Sequence, residues 1–172
     1  WTSARDLAIN HGLKGEAAAV LTNLASVHIQ LNNLNAAEPL TLQAIELAAD
    51  IPELAYRPQI ILALAMIRAH QNRMEEAVPL FAKASELADS ANEDKTLALI
   101  QNQFGSALIR AGRWQEAERP IQEAFRWRLF KNDVDLFTSF VNLAEIELRR
   151  GNPTLAAALA RRSLELASRQ SF

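Results

Sequence analysis

The sequence predicts an all-α fold, an α-solenoid of antiparallel helix pairs. Three observations carry that prediction. Ala and Leu occur 31 and 25 times in 172 residues, a third of the chain in two strong helix formers. Val (5) and Ile (11) together are outnumbered by Leu, and Gly (5) and Pro (6) are scarce, which excludes a sheet-rich fold. A pattern of large and small residues recurs every 40, 40 and 39 positions.

The repeat fixes each element in turn. Large-then-small pairs stand at Leu24-Ala25, Leu64-Ala65, Phe104-Gly105 and Leu143-Ala144. A small residue follows at Ala37, Ala77, Ala117 and Ala156, and another seven later at Ala44, Ala84, Ala124 and Ser163. Three positions on comes Leu47, Leu87, Trp127 or Leu166. Small residues let two helices approach to roughly 8–10 Å between axes, and the large ones fill the grooves beside them. Polar or Gly-bearing turns separate the helices of each pair: Asn32-Asn33, Asn72-Arg73, Gly112-Arg113 and Gly151-Asn152.

These marks predict helices over 2–10, 15–31, 35–49, 54–71, 75–90, 94–111, 115–130, 134–150 and 154–169. Ala4 and Leu7 stand 40 before Ala44 and Leu47, so residues 1–13 read as a leftover second helix. Four full repeats follow, at about 14–53, 54–93, 94–133 and 134–172, in a single domain 1–172. Pro39, Pro79 and Pro120 fall early in second helices and Pro58 early in a first helix, where a missing N–H costs little; Pro52 falls in a loop. The chain starts at Trp1 with half a unit, and Leu155, Leu159, Leu164 and Leu166 spread over a wide arc of the last helix. The expectation is a segment of a longer solenoid, or self-association through a solenoid end.

Composition narrows function. The formal net charge is −2 and the basic clusters Arg149-Arg150 and Arg161-Arg162 are short, reading as solvated helix faces, so direct nucleic-acid binding is not expected. Apolar runs such as 60–67 are too short to cross a bilayer, and the start lacks a signal-peptide pattern, so the expected compartment is the cytoplasm, away from the membrane. With no cysteine there is no disulfide framework. His11, His28 and His70 are isolated, and no phosphate-binding Gly loop occurs. No metal, no cofactor and no catalytic constellation are expected, and the chain does not read as an enzyme.

The large-x-x-small pattern and the turn Gly112-Arg113-Trp114-Gln115-Glu116-Ala117 resemble the tetratricopeptide repeat. The resemblance covers nearly the whole chain, with a period of 40 in place of about 34 residues. HEAT and armadillo repeats match the period but lack the turn signature. The long repeat, with Asn142-Leu143-Ala144-Glu145-Ile146-Glu147-Leu148 before Gly151, is similar to those of signal-transducing ATPases and MalT-like transcriptional regulators. It also resembles peptide-binding repeats of quorum-sensing regulators and kinesin light chains.

That resemblance implies a right-handed solenoid whose first helices line a concave groove, and a protein or peptide partner held there. Three columns of groove residues follow from it. The first is Asn23, Ala63, Gln103 and Asn142, with Asn102 beside it; in related repeats an Asn here binds peptide main chain. The second is Gln30, His70, Arg110 and Arg149, suited to acidic ligands or simply to the negative pole of a helix end. The third is Ser26, Met66, Ser106 and Glu145. Asn23 and Asn142 are expected to serve binding and not stability. The alternatives are amides bonded to neighbouring helices, and a scaffold with no groove ligand. Among the late aromatics, Trp114 and Trp127 read as core, and Phe125 or Phe130 as exposed.

Overall fold

The computed structural model describes residues 13–49, 51 and 57–169. Among these, eight helices follow one another: α1 (Lys14–Gln30), α2 (Leu34–Ala49), α3 (Arg57–His70), α4 (Met74–Ser90), α5 (Asp94–Arg110), α6 (Trp114–Lys131), α7 (Leu136–Arg149) and α8 (Pro153–Ser168). The predicted boundaries hold to within three residues wherever they can be compared. The helix expected at 2–10, His11 and Pro52 lie outside the described residues.

By internal contacts the chain divides into two compact units, Trp1–Asn92 and Glu93–Phe172. Each holds two helix pairs. In the first unit α1 packs on α2, α2 on α3 and α3 on α4, and the first helices α1 and α3 also touch. In the second the same order holds for α5 to α8, with α5 against α7.

The small residues lie where the repeat placed them. Ala25, Ala37, Ala44, Ala65, Ala77 and Ala84 are fully buried, and the large partners Leu24, Leu47, Leu64 and Leu87 are half-buried beside them. Gly105 is the tightest contact. A Cβ there would stand 2.3 Å from Ile121 Cγ1 and 3.4 Å from the Ala117 carbonyl oxygen, so α5 and α6 meet at hydrogen-for-methyl distance.

Left-handed residues follow α1, α3, α4, α5, α6 and α7. Asn32, Asn72, Asn92, Asn132, Gly112 and Gly151 all have positive φ. Two reversed hydrogen bonds close the end of α1, Asn33 N to His28 O at 2.8 Å and Asn32 N to Ile29 O at 2.9 Å, and the same pair recurs after α3, α5, α6 and α7. This is the Schellman arrangement, which satisfies carbonyls that would otherwise be orphaned.

One expectation needs correcting. Pro39 and Pro79 are the sixth residues of their helices and Pro120 the seventh of its own, past the first turn. Each therefore leaves the carbonyl four residues earlier without its helical N–H. Pro58 and Pro153 do sit in free first turns.

Candidate functional site

One group of polar residues in the second unit converges between α5 and α7. A cavity of about 360 Å³ is lined there by Leu99, Asn102, Gln103, Ser106, Arg128, Asp135, Thr138, Val141 and Asn142. Two first helices run side by side, so residues one helical turn apart on α5 share the face that looks toward α7.

Its floor is a hydrogen-bonded network. Asn142 Nδ2 donates to Asn102 Oδ1 at 3.1 Å, and Ser139 Oγ donates to the same oxygen at 3.0 Å. Asn102 Nδ2 donates to Thr138 Oγ1 at 3.3 Å. Arg128, reaching from α6, donates from Nη1 to Thr138 Oγ1 at 2.5 Å, to the Asp135 carbonyl at 2.9 Å and to Ser139 Oγ at 3.3 Å. Arg128 is 3% exposed. Burial pushes its guanidinium below the ordinary arginine value, and the Asp135 and Asp133 carboxylates oppose that shift. It remains charged, since an arginine in a protein does not give up its proton.

Two members of the network, Arg128 and Ser139, occupy positions that are apolar in the other repeats. Arg128 stands in register with Ala48, Ala88 and Ala167, and Ser139 with Val20, Ile60 and Ile100. Asn102 stands in register with Thr22, Leu62 and Val141. Sequence reading missed Arg128, Thr138 and Ser139, although extending the repeat by one column would have exposed an Arg among alanines.

The expected groove residues divide. Asn102, Gln103 and Asn142 come together on this cavity. Asn102 and Asn142 are buried and bonded to each other, so Asn142 holds α7 against α5 as well as facing the cavity. That corrects the expectation that it is free of structural duty. Arg110 is exposed and donates to Ser106 Oγ at 3.2 Å, and Arg149 pairs with Glu145 at 3.2 Å on its own helix. In the first unit Asn23 and Gln30 are exposed. Met66 packs on Ile29, Ala37, Ala63 and Ile67, and His70 Nδ1 lies 3.4 Å from Asn32 Oδ1.

Of the aromatics, Phe130 is 83% exposed, while Phe125 meets Phe140 edge-on at 5.1 Å. Trp114 and Trp127 are half-buried. Among the described residues no helix is long and apolar enough to cross a membrane, and no group of side chains has a metal-binding arrangement.

Tetratricopeptide-repeat models match residues 56–128 and residues 18–51, together more than half of the chain. The chain belongs to the tetratricopeptide repeat family. Repeats of this family generally serve as non-enzymatic modules for protein–protein interaction. No curated protein matches this tetratricopeptide chain. Among solved structures it is similar to the crystal structure of BtubC (BKLC) from P. vanneervenii, with a TM-score of 0.61 at 16% identity, covering 99% of this chain and 87% of that one. Identity that low speaks for the tetratricopeptide fold alone.

Proposed function

We propose that this protein is a peptide-binding interaction module whose ligand lies along the cavity between α5 and α7. One observation carries the reading: three side-chain amides, Asn102, Gln103 and Asn142, meet at that cavity on adjacent first helices. An amide both donates and accepts, which matches an extended backbone whose own N–H and C=O need partners. Gln103 is only partly buried and enters no hydrogen bond among the described residues, so its amide is available.

The proposed setting is a cytoplasmic regulatory or signalling protein of bacterial type. It draws on the resemblance of 142–151 to long-repeat regulators. The proposed partner is a protein or peptide, not nucleic acid or a membrane, in line with the net charge of −2.

Selection of a random octapeptide library on the immobilised protein tests this. Val141 lines the cavity and is 49% exposed, so Val141→Trp fills the groove from its rim. Selected peptides should lose at least tenfold in affinity on Val141→Trp and on Gln103→Ala, with unfolding temperature held. Peptides indifferent to both changes, or no selected peptide, would sink the reading.

A second reading is a scaffold that self-associates through α8. Leu155 and Leu164 on that helix are 48% and 71% exposed. Light scattering that shows a monomer across a wide concentration range argues against it.

A further inference from the structure

We infer that the peptide held in this groove presents an acidic side chain to Arg128. The inference rests on the peptide-binding reading above and adds the chemistry of one ligand position.

The first observation is the placement of the charge. A buried guanidinium is expensive to desolvate, and an apolar residue of suitable volume is usually as stable or more so. The other repeats show the apolar solution at this register, Ala48, Ala88 and Ala167. Only here do Arg128 and Ser139 replace apolar residues together, and they do so around a cavity. Departures from a repeated packing rule gather at functional sites.

The second observation is what Arg128 leaves unused. All of its hydrogen bonds leave from Nη1, and among the described residues Nε and Nη2 meet no acceptor. Among the described residues no carboxylate lies within 4.0 Å of it. Nε and Nη2 form one edge of the guanidinium fork, the edge that takes a carboxylate through two parallel bonds. Thr138 and Ser139 hold the opposite corner, so the fork is already oriented before a ligand arrives.

The nearby acids do not fill that role. Asp133 Oδ1 accepts the Asp135 N–H at 2.9 Å, and its Oδ2 faces Lys95 Nζ at 3.9 Å. Asp135 lines the cavity, and it enters this chemistry as an acceptor for a ligand N–H. An acidic residue in an extended peptide offers both partners, a carboxylate for Arg128 and a neighbouring backbone N–H for Asp135. The cavity, at about 360 Å³, has room for one such residue and its flanking backbone.

The same octapeptide selection provides the test. Selected sequences should share an Asp or Glu at one position, and changing that residue to Asn or Gln in the synthetic peptide should weaken binding at least tenfold. Because that change is made in the peptide, a folding defect cannot mimic it. In the protein, Arg128→Met should abolish the preference between Glu and Gln peptides, and Arg128→Lys should retain part of it. Peptides that need Val141 and Gln103 but show no acidic position would overturn this inference and leave the binding reading intact. An acidic position indifferent to Arg128→Met would overturn it too. Tenfold tighter binding of a phosphoserine peptide than of the Glu peptide would reject the carboxylate as the ligand group. Failure to select any peptide overturns both.

Discussion

Gly105 and Asn142 show how much a single residue decides in this protein. In an exposed helix, Gly→Ala stabilises by about 1 kcal/mol. At Gly105 the added methyl would overlap Ile121 Cγ1 at 2.3 Å, and Ile121 is fully buried with nowhere to retreat. Gly105→Ala should therefore lower stability by about 1–3 kcal/mol, the usual range for overpacking, measured by urea denaturation. A gain would mean that α6 yields without strain. Asn142→Ala removes the donor to Asn102 Oδ1 from a site 8% exposed and should cost about 1–2 kcal/mol. Asn23→Ala, at an exposed position, should fall within about 0.5 kcal/mol of the wild type in the same titration. The two asparagines occupy one column of the repeat and were indistinguishable as letters. What separates them is Asn102 across the α5–α7 contact, present only in the second unit.

At the scale of elements, helix ends and inter-helix pairs matter most. Asn72 ends α3 with φ of 63°, a conformation that Gly adopts freely and that strains a residue with a Cβ. Asn72→Gly should be near neutral in thermal unfolding, and Asn72→Ala should cost about 1 kcal/mol. These ends were legible because Asn or Gly recurs at 32, 72, 112 and 151. The side-chain bridge between α2 and α3 was not legible. Arg68 Nη1 pairs with Glu38 at 2.6 Å, and Gln71 donates to the other carboxylate oxygen at 2.8 Å. The Arg68 hydrogen bond, then that of Gln71, hold the Glu38 carboxyl below the ordinary glutamate value. A lowered folded-state value means stabilisation that is fully present above the ordinary glutamate range. It is lost as pH falls through the lowered value. Wild-type and Glu38→Gln proteins should accordingly differ in unfolding temperature at neutral pH and converge under acid. A difference that persists unchanged at low pH would assign the effect to packing.

Each unit is a chain of near-neighbour contacts. Within each unit a helix touches the next one or two along the sequence and no others among the described residues. Stability in such an array is close to a sum of repeat and interface terms. Phe81, fully buried in α4, offers a test. Phe81→Ala should cost about 3–5 kcal/mol, and hydrogen exchange should speed up in α3 and α4 while α7 and α8 keep their protection. Uniform acceleration across both units would show long-range cooperativity instead.

Period, composition and turn residues by themselves determined that this protein is all-α, where its helices begin and end, and which small residues lie between them. They could do so because helix propensity, capping and close packing act over short separations, and a repeat prints the same short-range solution several times. The tertiary structure alone decided which polar residues act together. Arg128 from α6, Asn102 from α5 and Ser139 and Asn142 from α7 meet through contacts between residues 11 to 40 positions apart. Hydrogen bonding at that range depends on side-chain geometry fixed only once three helices have packed, and the letters of any one helix do not record it.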